Sequence, residues 1–222
     1  MSILETQRFV YTFPSVSRDT EGNSALAWTD GMQPFHMDLE VDTNSGFDRI
    51  HFLPGGITPE ECRRIIDIGN ALPNRGDEAA YHGQNHRECE IAWIMPGPDA
   101  DWLFHRIAVL FHEVNAHCQF DLLGLTDPLQ YTTYGPGQHF TWHRDIGNGS
   151  TCLRKLSMTV QLSESTDYEG GDLEFVELGN QAPQRGLGTV TIFPSFIAHR
   201  VTPVTAGRRR SLVAWASGPT FR

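Results

Sequence analysis

Two stretches of alternating sequence end in residues able to bind a metal, and the distance between those stretches restricts how the chain can fold. His143 closes the run His139-Phe140-Thr141-Trp142-His143 with Asp145 two residues on, and His199 stands 56 residues further along, after Val190-Thr191-Ile192-Phe193-Pro194. Apolar and polar residues in alternation mark a strand of period two. Gly, Pro and Asn bound the first run on both sides, as Gly135-Pro136-Gly137 before it and Gly147-Asn148-Gly149 after it. His143, Asp145 and His199 can meet only if the intervening strands fold back on one another, which antiparallel hairpins do with short connections. Strict alternation puts His139, Thr141 and His143 on one face of the first strand and Phe140 and Trp142 on the other.

Two imidazoles and a carboxylate on one side of a metal form the facial set of non-haem Fe(II) sites, which leaves three coordination positions open. His-x-Asp occurs twice, but the other copy, His36-Met37-Asp38, has no alternating run around it. After His199 the chain reads Gly207-Arg208-Arg209-Arg210-Ser211-Leu212-Val213-Ala214-Trp215, a turn followed by a strand. Alternation groups Arg209 with Ser211, Val213 and Trp215 and assigns Arg208 and Arg210 to a solvated edge. A guanidinium beside a hydroxyl is a bidentate receptor for a carboxylate, a geometry that lysine matches less well. Leu156 to Ser163 separates into apolar Leu156, Met158, Val160 and Leu162 and polar Ser157, Thr159, Gln161 and Ser163, so Thr159 and Gln161 are candidates for lining a pocket.

Taken in order, these segments resemble the 2-oxoglutarate and Fe(II)-dependent dioxygenases, in particular the prolyl-4-hydroxylase-like branch of PKHD-type hydroxylases. The likeness runs from about Arg87 to Trp215 through Gln130 to Gly137, Trp142-His143-Arg144-Asp145, Tyr168-Glu169-Gly170-Gly171-Asp172-Leu173 and His199 to Arg209. It implies a mainly β fold with flanking helices, a double-stranded β-helix or jelly roll of about eight strands between Leu129 and Ser217. By the same resemblance His143, Asp145 and His199 bind Fe(II), and Arg209 pairs with the distal carboxylate of 2-oxoglutarate. Ser211, Tyr134 and Thr159 complete the cosubstrate site. The implied activity is O2-dependent hydroxylation of an unactivated C–H bond with release of succinate and CO2, ascorbate being an accessory reductant. Related halogenases put a small residue where Asp145 stands, so its carboxylate implies hydroxylation. The anchor is Arg rather than Lys, which points away from the collagen-type prolyl hydroxylases. The substrate class implied is an amino acid, free or peptidyl. A small specialised metabolite on the same iron centre and a non-enzymatic cupin-like binding or sensing module are the alternatives; the combination of His143, Asp145, His199 and Arg209 argues against the module.

A chain of 222 residues with 39% hydrophobic content suits one catalytic domain, with residues 1–125 as irregular and helical support and 126–222 as the jelly-roll core. Thr58-Pro59-Glu60-Glu61 carries the signals of a capped helix start, and that helix should end near Leu72. Leu103, Ile107, Leu110, Val114 and Cys118 make one helical stripe from about Asp101 to Gln119. His105 and His112 lie seven residues apart on that helix, too far for a shared metal. Residues 1–48 are expected to be irregular cover with one strand, and 74–89 and 146–155 to be loops facing the substrate. A net charge of −10 without a Lys/Arg stripe disfavours a nucleic-acid partner. No run approaches the ~20 apolar residues of a membrane span. Cys62, Cys89, Cys118 and Cys152 show no paired spacing, and the N-terminus lacks an apolar signal run, so a reducing cytoplasm is expected.

Overall fold

The computed structural model describes residues 46–73, 75–81, 84–179 and 184–220, together with the backbone of four short strands that precede them. These are β1 (Arg8–Val10), β2 (Ser15–Arg18), β3 (Ser24–Ala27) and β4 (Gln33–Phe35), so the segment expected to hold one strand holds four among the described residues. Strand β1 pairs with β4 and β2 with β3, both antiparallel, within a unit of residues 1–44. His36 and Asp38 lie outside the described residues.

Residues 45–222 form the second unit. Its elements are β5 (His51–Leu53), α1 (Pro59–Ala71), β6 (Arg75–Tyr81), β7 (Gln84–Ile94), α2 (Asp101–Cys118), β8 (Gly124–Leu125), β9 (Leu129–Tyr134), β10 (His139–His143) and β11 (Arg154–Gln161). Then come β12 (Tyr168–Gly170), β13 (Leu173–Phe175), β14 (Val190–Pro194), β15 (His199–Val201), β16 (Val204–Gly207) and β17 (Arg209–Ser217). The strands pair in the order β13-β15-β10-β7-β9-β17-β11-β14-β5, with β6 on β7, β8 on β17 and a separate β12-β16 ladder. Every pairing is antiparallel. In β9-β17-β11-β14 no two adjacent strands follow one another in the chain. This interleaving is the double-stranded β-helix that the metal-binding residues required.

The faces of these four strands sort by polarity. Leu156, Met158 and Val160 lie opposite Ala216, Ala214 and Leu212 on one side and Pro194, Ile192 and Val190 on the other, and all nine are buried. They form the main core with α1 and α2, whose stripe residues Leu103, Ile107, Leu110, Val114 and Cys118 are all buried in it. Helix α1 starts in the expected capping box, with the Thr58 hydroxyl accepting from Glu61 N and the Glu61 carboxylate accepting from Thr58 N. It rests directly on β9. A Cβ at Gly69 would come within 2.4 Å of the Tyr131 ring, so only glycine permits this approach. Tyr131 in turn donates to Asn70 Oδ1 at 3.0 Å.

Two expected loops carry structure. Residues 75–94 make the β6-β7 hairpin, in which Glu90 to Ile94 reads as a strand from the sequence and residues 75–89 do not. Backbone pairing of β7 with β9 and β10 holds it, so tertiary context overrides weak local strand preference. A 3-10 helix spans Gly149–Leu153 within the second expected loop. The four cysteines are free, and no described helix is long and apolar enough to cross a membrane.

Candidate active site

A β-bulge decides where His143 points. In the β10-β15 ladder Phe140 lies opposite Val201 and His143 opposite His199, so two residues of β10, Thr141 and Trp142, face the single Arg200. The extra residue re-aims the side chains beyond it. Strict alternation would group His143 with His139 and Thr141, but the bulge puts it on the face of Phe140, whose ring stacks on the imidazole at 3.4 Å between centroids. Trp142 is turned outward and carries Arg200 over its ring at 4.8 Å, while Thr141 bonds to His86. His199 follows the β14 turn and meets the Phe193 ring edge-on at 4.7 Å. Asp145 is brought up by its own backbone: Asp145 N and Ile146 N both donate to Ser195 O, at 3.0 and 3.1 Å.

The three side chains converge. His143 Nε2 lies 3.7 Å from Asp145 Oδ1, and His199 Nε2 lies 3.7 Å from Asp145 Oδ2. All three ligand atoms fall within 4.8 Å of one another, a spread that a metal drawing each to about 2 Å can span. His143 Nδ1 is 2.8 Å from Thr141 O and His199 Nδ1 is 3.1 Å from Ile197 O. A carbonyl can only accept, so both Nδ1 atoms carry a proton, which leaves Nε2 of a neutral ring as the atom that can bind a metal, the arrangement that outer hydrogen bonds give metal-binding imidazoles.

The electrostatics agree with this donor set. Burial, and then the neighbouring His199, keep the His143 imidazole neutral, its pKa pushed down to about 3. Burial works against charge on Asp145. His199 and His143 outweigh it, helped by Ser157 and Trp215, and hold the carboxyl below its usual range. A neutral His143 imidazole beside an ionised carboxylate suits a divalent cation.

The cluster opens into a cavity of about 380 Å³, in the range of small-ligand sites. Tyr134, Thr159, Arg209 and Ser211 all line it. Arg209 lies opposite Tyr134 in the β9-β17 ladder, with its guanidinium 5.6 Å from that ring and Nη1 3.4 Å from Ser211 Oγ. Its side chain is 2% exposed, and no carboxylate among the described residues pairs with it. A buried charge without a counter-ion is costly, so this guanidinium is built to receive an anion. Gly171 makes room for it, next to Gly170, and both are at positive φ. A Cβ on Gly171 would sit 3.2 Å from Arg209 Cδ, and one on Gly170 would collide with Pro203 O at 2.2 Å. Burial raises the Tyr134 phenol well above its usual range and keeps it a hydrogen-bond donor. Arg208 is exposed, as expected of an edge residue, and Arg210 is half-buried. Gln161 is buried opposite Ser211 but donates to the Tyr168 hydroxyl instead of lining the cavity.

Several lining residues carry no signal in the sequence: His86, Arg87, Phe140, Arg144, Arg154 and Trp93. Arg144 alone has a possible clue, its place between two ligands. His86 and Arg87 stand on a strand whose local sequence has the character of a loop.

Residues 129–217 match the sequence profile of the 2OG-Fe(II) oxygenase superfamily. A PKHD-type hydroxylase of Caulobacter vibrioides is 29% identical over 168 residues, 70% of each chain. Another from Idiomarina loihiensis is 32% identical over 94 residues, which cover 40% of this chain and 43% of that one, less than half its length. The fold is similar to that of a Pseudomonas putida prolyl-4-hydroxylase, with a TM-score of 0.59 at 21% identity over 82% of this chain and 96% of the other.

Proposed function

We propose that this chain, which belongs to the 2OG-Fe(II) oxygenase superfamily and is a 2-oxoglutarate-dependent dioxygenase, hydroxylates an unactivated C–H bond of an amino acid, free or peptidyl. One observation carries the site assignment: a buried guanidinium without a carboxylate partner shares a cavity with two imidazoles and a carboxylate whose ligand atoms converge. A cation at one end and an anion seat at the other suit a keto-dicarboxylate held at both ends. His143, Asp145 and His199 would hold Fe(II). When bound, Fe(II) and 2-oxoglutarate supply the oxidation, one atom of O2 entering succinate as CO2 leaves and the other entering the product.

The protein positions and shields. Arg209 and Ser211 would orient the distal carboxylate of 2-oxoglutarate, fixing which of its ends reaches the metal, and the protonated Tyr134 is available to donate to it. Thr141 O and Ile197 O lock both imidazoles in the tautomer that presents Nε2. Phe140 and Phe193 cover the imidazoles and exclude water from that side. The carboxylate of Asp145 fills the position that a halide would need, which favours hydroxyl transfer. The amino-acid substrate class is proposed from the likeness to a prolyl-4-hydroxylase.

The test is succinate release from the purified protein supplied with Fe(II), 2-oxoglutarate and O2, with amino acids and short peptides screened for stimulation. Succinate that carries ¹⁸O from ¹⁸O2, and that is absent with His143→Ala, is the expected result. Unlabelled succinate, or none above the His143→Ala background, overturns the assignment.

A further inference from the structure

Charge around the cavity runs against the charge of the protein. The chain holds 27 acidic and 17 basic residues. Among the described residues four arginines line the cavity, Arg87, Arg144, Arg154 and Arg209, and Asp145 is the one acidic residue that does. Arg209 is accounted for by the cosubstrate. Arg144 and Arg154 belong to the segment that follows His143, and Ile146, Gly147 and Thr151 of the same segment also line the cavity, so this is a second cationic end.

The Arg154 guanidinium is held in place, and Arg144, an exposed residue that also lines the cavity, is anchored at one nitrogen. Arg144 Nε donates to Phe196 O at 2.8 Å. Arg154 Nε donates to Asp127 Oδ2 at 3.1 Å, Nη1 reaches Asp145 O at 3.4 Å, and the guanidinium lies 3.8 Å from the centre of the Trp215 ring. An arginine offers five N–H donors, and these contacts use one on Arg144 and two on Arg154. Asp127 offsets the charge of Arg154. No carboxylate among the described residues pairs with Arg144. Pre-oriented donors with excess positive charge, beside a site expected to hold a cation already, are arranged for a planar anion that can take two N–H bonds at once.

Resting on the proposed function, we infer that the substrate is itself an acid and that its carboxylate docks on Arg144 and Arg154 while the C–H bond to be oxidised points at the metal. A cavity of about 380 Å³ that also accepts 2-oxoglutarate leaves room for a side-chain-sized group. This favours a free amino acid, or a peptide ending at the modified residue, over an internal residue of a long chain. It also explains how an acidic protein attracts an acidic substrate, since a cationic cavity lip focuses the local field.

The experiment is calorimetric titration of the anaerobic protein loaded with Fe(II) and 2-oxoglutarate. The probes are free amino acids and N-acetyl amino acids, each paired with its carboxamide, with inorganic phosphate and phosphoserine as phosphate probes. At least one acid should bind about tenfold tighter than its amide, the worth of one charge-assisted hydrogen bond. Arg144→Gln should shrink that preference to about threefold or less, and Arg144→Lys should keep part of it, while 2-oxoglutarate affinity stays within about twofold. The inference is overturned if amides bind as well as acids, if no acid binds, if phosphate probes bind tighter than carboxylates, or if the preference survives Arg144→Gln. Failure of 2-oxoglutarate to bind the metal-loaded wild-type protein would instead remove the functional assignment beneath it.

Discussion

The two faces of β9, β17, β11 and β14 are made from the same strands in the same register, yet they serve opposite ends. One face is closed by α1 and α2 around Leu156, Met158, Val160, Leu212 and Ala214. The other presents Tyr134, Thr159, Arg209 and Ser211 to a cavity. Residues one position apart along a strand therefore belong to different energetic regimes. Transfer from water drives the first face inward. On the second, polar groups are buried against that tendency, and the fold tolerates it because they bond to one another or await a ligand. The site's cost in stability is carried by the apolar face behind it.

Substitutions on the two faces should separate cleanly, and the largest effect lies at the metal cluster. His143→Ala or His199→Ala should abolish Fe(II) binding and succinate formation yet leave the circular dichroism spectrum native. Loss of fold with either would show that the cluster is structural. Second in size is Arg209→Ala, which should weaken 2-oxoglutarate by on the order of a hundredfold or more, about 3–5 kcal/mol for breaking a buried charge pair on one side, with metal content kept. Arg208→Ala and Arg210→Ala should change that affinity by about twofold at most. Equal defects at all three positions would mean that the run acts as an electrostatic patch.

On the covered face, Met158→Ala should lower stability by about 2–5 kcal/mol while the folded fraction still binds 2-oxoglutarate normally. A specific loss of cosubstrate affinity there would break the separation of faces. Gly69→Ala should also destabilise, because its Cβ meets the Tyr131 ring 2.4 Å away, and Tyr131→Leu in the same chain should recover part of the loss. Chemical denaturation of the four proteins measures both.

Acid should act through the polar face. His143 is neutral in the folded protein down to about pH 3, whereas the unfolded chain takes up that proton near its ordinary pKa of about 6.5. The unfolded state therefore binds more protons between those values. The contribution of His143 is complete above about pH 6.5 and drains as the pH falls towards 3. Melting temperatures of the metal-free protein should follow that slope, and His143→Ala should flatten it; an unchanged slope would place the acid sensitivity elsewhere. The smallest effect is expected from Ser211→Ala, a loss of 2-oxoglutarate affinity below about tenfold, since its contact to Arg209 is long at 3.4 Å.

Much of the fold and site is legible in the sequence because it rests on local rules. The α1 capping box, the buried stripe of α2 and the split of Leu156 to Ser163 into two faces follow from propensity and periodicity, and the structure shows each of them. Residues His143, Asp145, His199 and Arg209 stand out because a scattered donor set and an arginine beside a serine have few uses in a strand. Three-dimensional context settled the rest. A bulge has no signature in an alternating run, so the face of His143 depended on its pairing with β15. Apart from Glu90 to Ile94, which reads as a strand, the β6-β7 hairpin took its strand form from pairing between its arms and with β10, which no local pattern announced. The gathering of Arg87, Arg144, Arg154 and Arg209 around one cavity came from closure of the barrel, because residues up to 122 positions apart become neighbours only when distant strands pair.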